Sequence, residues 1–322
     1  MKQDLNIVAI GGGHGLSRML RGLKTVTPNI TAIVTVADDG GGSGVLREEM
    51  GMLPPGDIRS CILALSNVEP TMEKLLNYRF TDGSLTGQSF GNLFLAAMNG
   101  ITGAFDEAVR RTGDVLNITG RVLPVTTSDV HLEAEFDNGQ RTLGESKIFY
   151  AKKINNCRIR KVRLIPGNPP ALPEAISAIE SADLILMGPG SLYTSIIPNF
   201  LVDGVAQAVA RAVVPRIYVM NIMTQDGETD GYTGYDHVKA LLEHAPGTID
   251  VCIANNLLVP DEWLEPYRLE GAEPLQLEKE KIEALGIAVR EYPLAAGARY
   301  IRHDAAALTA AIMEVYGEFY GR

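Results

Sequence analysis

The chain has 322 residues, 46% of them hydrophobic, and its 39 acidic and 29 basic side chains give a formal net charge of −10. This length fits one large α/β domain or about two smaller ones, and the charge disfavours non-specific binding to nucleic acid or acidic membranes. The three cysteines are isolated in or beside apolar runs, so neither a disulfide framework nor a zinc site is supported.

No targeting or membrane-spanning segment is expected. Residues 1–4 lead directly into the first apolar run, with no basic-then-apolar signal before it. Elsewhere no apolar run reaches the roughly 18 residues that a membrane-spanning helix needs. We therefore expect a cytoplasmic protein without membrane insertion.

The first motif is LNIVAIGGGHGLS at residues 5–17, an apolar run that ends in a glycine-rich turn. Such a run suits a buried parallel strand, and the glycines let backbone N–H groups approach a ligand. Residues 16–23 can then form a helix whose N-terminus attracts phosphate. The candidates for this anion site are Gly12, Gly13, His14 and Gly15.

The glycine spacing argues against two common nucleotide-binding classes. The dinucleotide pattern G-x-G-x-x-G fails because Leu16 occupies the place of its third glycine, and no Gly-Lys pair exists for a P-loop. An ordinary nicotinamide-dependent oxidoreductase and a P-loop NTPase are both disfavoured. His14 is the only histidine inside a motif, so the sequence presents no clear general base and the catalytic residues stay unassigned.

A second buried-type strand, residues 30–37, runs into Asp38, Asp39 and the glycines of residues 40–44. Strand, helix and strand together predict a right-handed βαβ unit, with ligands beyond the carboxyl ends of its strands. An acidic residue there commonly accepts hydrogen bonds from a ribose. The alternatives for the two aspartates are a magnesium site beside phosphates and a solvated turn.

Residues 86–98, TGQSFGNLFLAAM, form another polar, glycine-rich entry into an apolar helix. Residues 87–91 match the hydrolase pattern G-x-S-x-G, but that elbow needs a buried strand before it and residues 81–85 look like a turn. We therefore expect Ser89 and Asn92 to face a bound phosphate or sugar rather than to perform catalysis. Two aspartates are predicted as helix N-caps: Asp57 and Asp304.

An antiparallel excursion is predicted in the middle of the chain. Residues 130–136 and 141–148 flank Asp137-Asn138-Gly139, a strong hairpin signal. We place this hairpin insertion at about residues 128–150. A further strand at residues 158–165 alternates basic and apolar side chains, as a strand with one solvated face would.

The second half of the chain repeats the strand-then-loop pattern. A buried strand at residues 183–187 is followed by a glycine loop at 188–195, and later strands are predicted at residues 216–220, 250–255 and 287–292. The loop offers Gly190, Ser191 and Tyr193 as further groups that could converge on an anion. Residues 1–322 are thus predicted to form one doubly wound, Rossmann-like α/β domain, with a mostly parallel sheet, helices on both faces and a β-hairpin insertion.

Five blocks make the sequence similar to a known family: VADDGGGSG at 36–44, PPGDIRSCILALS at 54–66, TGQSFGNLFLAAMN at 86–99, GPGSLYTSIIPN at 188–199 and MTQDGETDGYTGYDH at 223–237. Together with the opening GGGHG, they resemble the YvcK group of the CofD-like proteins, the gluconeogenesis factors. The blocks occur in the family's order over nearly the whole chain.

The resemblance implies a Rossmann-like cytoplasmic regulatory protein that binds a UDP-sugar, typically UDP-N-acetylglucosamine. It also implies a role in cell shape and in envelope (peptidoglycan) metabolism on gluconeogenic carbon sources, with an envelope-synthesis protein as partner. Tyr267 and Arg302 best fit the tyrosine and arginine of the group that contact the nucleotide sugar. A tyrosine ring could stack on uracil, and an arginine could pair with a diphosphate.

The CofD branch of the family offers the alternative function. It is a magnesium-dependent transferase that moves a 2-phospholactyl group from a guanylyl-activated donor to a deazaflavin. Under this alternative Asp38 and Asp39 hold the metal; otherwise no cofactor is implied. Apolar helix faces permit a homo-oligomer, without identifying an interface.

Overall fold

The computed structural model describes residues 5–155, 157–297 and 300–321. Residues 1–4, on which the expectation about a targeting signal rests, lie outside this part of the chain. Among the described helices none is long and apolar enough to cross a membrane.

Twelve strands are found in the described residues: β1 Ile7–Gly11, β2 Ile30–Val34, β3 Arg121–Pro124, β4 His131–Phe136, β5 Arg141–Leu143, β6 Ile159–Ile165, β7 Leu184–Met187, β8 Arg216–Val219, β9 Val251–Asn255, β10 Ala288–Tyr292, β11 Ala295–Ala296 and β12 Arg302–His303.

Fourteen α-helices are found in the same part of the chain: α1 Gly13–Leu23, α2 Gly41–Met50, α3 Gly56–Leu65, α4 Pro70–Asn77, α5 Phe90–Thr102, α6 Phe105–Val115, α7 Glu145–Asn155, α8 Pro173–Glu180, α9 Ile197–Phe200, α10 Val205–Arg211, α11 Gly234–His244, α12 Asp261–Glu270, α13 Lys279–Glu283 and α14 Ala305–Phe319. A 3₁₀ turn at Gly83–Leu85 and a π-helical turn at Leu192–Ile196 complete the helical elements.

The central sheet has seven parallel strands in the order β10-β9-β8-β7-β1-β2-β3. All residues of β1, β2 and β7 are buried, because helices cover both faces of the sheet and continuous apolar runs suit such strands. The doubly wound Rossmann-like fold with a mostly parallel sheet, predicted from the sequence, is confirmed.

The order of the strands fixes where a ligand site can form. From β1 the chain proceeds to β2 and β3 on one side, and then returns to place β7 on the other side of β1. At such a switch point, the loops beyond the carboxyl ends of the two central strands diverge and leave a crevice. The glycine turn after β1 and the glycine loop after β7 meet at this crevice.

The predicted antiparallel excursion is a three-stranded sheet in the order β5-β4-β6. The predicted strand 141–148 is wrong beyond Leu143, since the chain enters α7 at Glu145. Gly144 turns the chain with φ +110°, and the Ser146 N–H then donates to Asp39 Oδ1 at 2.8 Å. A contact from a distant loop therefore starts α7, and neighbouring residues could not have indicated it.

One of the two predicted helix caps is confirmed and the other is wrong. Asp304 precedes α14, and its Oδ1 accepts the Ala307 N–H at 2.8 Å. Asp57 lies within the first turn of α3 and makes no capping bond there. Its carboxylate accepts the Gly13 N–H at the start of α1 instead.

Candidate functional site

A cleft of about 720 Å³ opens beyond the carboxyl ends of β1, β7 and β8. Its walls come from the start of α1, the loops that follow β7 and β8, the second half of α12 and strand β12. Its volume lies within the range of small-molecule sites. Six of the residues predicted to bind the ligand line it: His14, Gly15, Gly190, Ser191, Tyr267 and Arg302.

The cleft contains a local group of basic side chains in an otherwise acidic chain. Burial, and then the positive charges of Arg302 and Arg59, lower the pKa of His14. His14 therefore lies within the electrostatic reach of two guanidinium groups that come from opposite ends of the sequence. Arg18 also lines the cleft, alongside the carboxylates of Asp226 and Glu270. The N–H groups of an imidazole and of neighbouring arginines suit an anion that accepts hydrogen bonds.

The glycine turn after β1 is packed against two neighbouring segments. A β-carbon on Gly15 would lie 2.3 Å from the backbone oxygen of Pro189, so α1 approaches the loop after β7 as closely as backbone permits. A β-carbon on Gly12 would lie 2.4 Å from Asp57 Oδ2. Glycine is thus required at both positions by close approach rather than only by the turn.

The Asp57 side chain lies at the glycine turn that was predicted to bind an anion. Burial is the main cause that raises its pKa to about 7, and the charge of Asp38 adds to it. Because its carboxylate accepts the Gly13 N–H, this N–H already has an internal acceptor. The residues of α1 that line the cleft are His14, Gly15 and Arg18, which follow Gly12 and Gly13 in the chain.

Asp38 and Asp39 lie at the carboxyl end of β2, but neither lines the cleft. Asp38 Oδ1 accepts the Gly40 N–H at 2.8 Å, and Asp39 binds the start of α7. Burial raises the pKa of Asp38. Burial first, and then the charges of Asp38 and Glu228, raise the pKa of Glu145 to about 8. Within residues 5–155, 157–297 and 300–321, no group of three or more His, Cys, Asp or Glu is placed to hold a metal ion.

Ser89 and Asn92 start α5. Ser89 Oγ accepts the Asn92 N–H at 3.2 Å as the N-cap, and it also accepts a bond from Arg59 Nη1 at 3.2 Å. Two buried atoms beside it, Arg59 Nε and Asn92 Oδ1, have no hydrogen-bond partner among the described residues. A 3₁₀ turn, and no buried strand, precedes the G-x-S-x-G pattern, so the structural context of a hydrolase elbow is lacking there.

Gln88 covers the start of α2 at Gly42. A β-carbon on Gly42 would lie 2.7 Å from Gln88 Oε1, and this buried oxygen has no hydrogen-bond partner in the described part of the chain. The absence of a side chain at Gly42 gives Gln88 the space that it occupies.

Tyr193 was predicted to help bind an anion, but its backbone N–H already donates a hydrogen bond to another residue of the chain. Glu228 Oε1 accepts the N–H groups of Tyr193 at 2.6 Å and of Thr194 at 3.1 Å. The Tyr193 side chain is buried, with its hydroxyl 3.0 Å from that of Tyr232. Burial is the largest cause that raises the pKa of Glu228 to about 7. Tyr193 therefore lies behind the cleft wall and does not line it.

The two loops that form one wall of the cleft are joined by side chains. Asn221 donates to Gly190 O at 2.8 Å and accepts the Gly190 N–H at 3.1 Å. Ser191 Oγ donates to Gln225 Oε1 at 2.7 Å. Asn221 and Gln225 both line the cleft, and neither was predicted as a ligand-binding residue. Their position directly after a buried strand was the available signal, as it was for the predicted residues.

Tyr267 and Arg302 come together in the opposite wall. The Tyr267 hydroxyl accepts the Ile301 N–H at 2.7 Å and donates to Ile301 O at 3.2 Å. His303, on the other side of Arg302, lies with Nε2 3.1 Å from Met220 O, and Arg18 Nε donates to His303 O at 3.0 Å. The backbone on both sides of Arg302 is therefore fixed, and Tyr267 contributes directly to this arrangement.

Several known proteins are similar to this chain. Residues 7–295 match the family model described as 2-phospho-L-lactate transferase CofD. A protein of Thermoanaerobacterium thermosulfurigenes named "Putative gluconeogenesis factor" is 54% identical over 308 residues, which are 95% of each chain. The "Gluconeogenesis factor" of Bacillus subtilis (strain 168) is 46% identical over 322 residues, 99% of this chain and 100% of the relative.

The fold also agrees with a crystal structure of a UPF0052 family member from Bacillus halodurans. Its TM-score is 0.93 at 42% sequence identity, with 97% of this chain and 99% of that chain covered. The resemblance inferred from the five sequence blocks is confirmed.

Proposed function

This chain belongs to the CofD family, within the group of gluconeogenesis factors, and from that premise we propose that it binds a nucleotide sugar of the UDP-N-acetylglucosamine type as a cytoplasmic regulator. The fraction of the protein with ligand bound would follow the concentration of this cell-envelope precursor. An envelope-synthesis protein would respond to the ligand-bound form. Binding would act by favouring one arrangement of the loops around the cleft over others.

The observation that carries this proposal is the basic group around His14. His14, Arg18 and Arg302 line the same cleft, and burial, followed by the charges of Arg302 and Arg59, lowers the pKa of His14. A diphosphate can accept several charge-assisted hydrogen bonds from such a group. Sugar and diphosphate would lie between His14 and Arg302, beside Ser191, with the Tyr267 ring as a wall.

A titration calorimetry measurement with UDP-N-acetylglucosamine tests the proposal. We expect saturable binding with the ligand recovered intact. Arg302→Ala should weaken it by roughly 10-fold to 100-fold, since a hydrogen bond to a charged group contributes about 1.5–3 kcal/mol. Arg211→Ala, an exposed arginine at the end of α10, is the matched control and should bind like the wild type. Equal affinities for all three proteins would contradict the assignment of Arg302.

The match to the transferase family model supports a second candidate, the phospholactyl transferase of the CofD branch. Asp38 and Asp39 would then hold magnesium together with oxygens of the substrate, since Mg²⁺ commonly uses one or two carboxylates plus phosphates. Incubation with a guanylyl-activated 2-phospholactyl donor, a deazaflavin and magnesium should then give product by mass spectrometry. Loss of that product in Asp39→Asn would favour the transferase; recovery of both substrates unchanged would favour the regulator.

A further inference from the structure

A second cavity, of about 480 Å³, lies beside the cleft at the carboxyl ends of β8 and β9. It is lined by the loop that follows β9 and by the first half of α12, whereas the second half of α12 lines the cleft. Asn221 and Ile222 line both spaces. One elongated ligand can therefore reach from the cleft into this second cavity past the end of β8.

The two spaces differ in charge. His14, Arg18 and Arg302 line the cleft, whereas no lysine, arginine or histidine is among the described residues that line the second cavity. Its one charged side chain, Asp261, is paired with Arg268 at 2.7 Å. Six of the aliphatic side chains around it are Leu257, Leu258, Val259, Leu264, Leu275 and Leu277. Such a lining suits a flat, largely apolar group and offers nothing to a phosphate.

Two adjacent asparagines at the end of β9 have different roles. Asn255 Oδ1 accepts the N–H groups of Leu294 and Ala295, each at 2.9 Å, so its amide holds the backbone of the loop. The Asn256 N–H donates to Tyr292 O at 2.9 Å, which fixes that residue's backbone beside β10. The Asn256 side chain lines the cavity and makes no hydrogen bond to another described residue.

We infer that the second cavity holds the nucleobase of the ligand whose diphosphate lies in the cleft, and that the Asn256 amide binds the hydrogen-bonding edge of this base. The inference rests on the proposed function. An amide presents one acceptor oxygen and a donor NH₂ side by side. The N3–H and O4 of uracil present the complementary donor and acceptor, while the leucines contact the faces of the ring.

This placement differs from the stacking of uracil on Tyr267 that the resemblance suggested. Tyr267 lines the charged cleft, and its hydroxyl is already bound to Ile301 on both the N–H and the carbonyl. The base and the diphosphate would then lie on either side of α12. Their connection would pass Asn221, whose amide joins the loops after β7 and β8.

Calorimetric titration with UDP and with N3-methyl-UDP, which cannot donate from N3, tests this placement. We expect the methyl group to weaken binding to the wild type by roughly 10-fold, because it leaves the Asn256 oxygen without its donor. Asn256→Ala should bind UDP roughly 10-fold more weakly and should no longer distinguish the two ligands. Asn77→Ala, an exposed asparagine at the end of α4, is the control and should retain the full difference.

Each outcome decides a separate question. If Asn256→Ala distinguishes UDP from N3-methyl-UDP as well as the wild type does, the base lies elsewhere and the inference is overturned while the proposed function stands. If the wild type binds neither UDP nor UDP-N-acetylglucosamine, the proposed function fails and the inference fails with it. The comparison of two ligands on one variant also separates recognition from a general loss of folding.

Discussion

Gly15→Ala is expected to destabilise the protein by about 1–3 kcal/mol, the cost of inserting a methyl group where there is no space. The new β-carbon would lie 2.3 Å from the backbone oxygen of Pro189, so either α1 or the loop after β7 must move. Both segments form the cleft, and nucleotide-sugar affinity should fall as well. Urea unfolding and calorimetric titration measure the two effects.

Gly100→Ala is the matched control for this prediction. Gly100 lies within α5, and a β-carbon there meets nothing within 4 Å. Alanine has a higher helix propensity than glycine, so this variant should be more stable by up to about 1 kcal/mol and should bind ligand normally. If Gly15→Ala also gained stability, the close approach of α1 to Pro189 would be refuted.

Glu228→Gln is expected to change how stability depends on pH. The pKa of Glu228 is raised from 4.5 to about 7 in the folded protein, chiefly by burial. A carboxyl with a raised pKa stabilises the fold below its unfolded pKa, and this contribution is lost as the pH rises through the folded pKa. The contribution of Glu228 to the free energy of unfolding of the wild type should therefore fall by up to about 3 kcal/mol between pH 4.5 and pH 7.

Glutamine keeps an oxygen for the Tyr193 and Thr194 N–H groups but cannot ionise. The stability of Glu228→Gln relative to the wild type should therefore increase from pH 5 to pH 8, as measured by urea unfolding at each pH. If the free energy of unfolding depended on pH in the same way in Glu228→Gln and the wild type, ionisation of Glu228 would not destabilise the folded protein. Glu228→Ala should be less stable than either at both pH values, because it leaves two backbone donors without their acceptor.

Gly15 and Glu228 both position the loop that follows β7. Gly15 allows α1 to touch the loop after β7, and Glu228 holds the start of the helical segment that follows that loop. Gly15 acts because it has no side chain to occupy the contact, and Glu228 acts through its ionisable carboxyl group. A ligand in the cleft would contact the loop that both residues position.

The sequence by itself determined the fold and most of the loops around the cleft. Apolar runs such as those of β1 and β7 indicate strands buried on both faces, and the alternation of short strands and helices leaves few topologies other than a parallel sheet. Asp304 caps α14 through a bond three residues away, which local sequence can predict. His14, Ser191 and Arg302 were found because their motifs follow buried strands or match the family.

Only the tertiary structure decided which groups meet within those loops. Asp57 binds Gly13 rather than its own helix, and Glu228 takes the N–H groups of Tyr193 and Thr194. Arg59 acts on His14 together with Arg302, although the three come from distant parts of the chain. Periodicity and composition report whether a residue is buried and in which element it lies. They do not report its partner, because a hydrogen bond or a charge interaction depends on where separate segments of the chain come to rest.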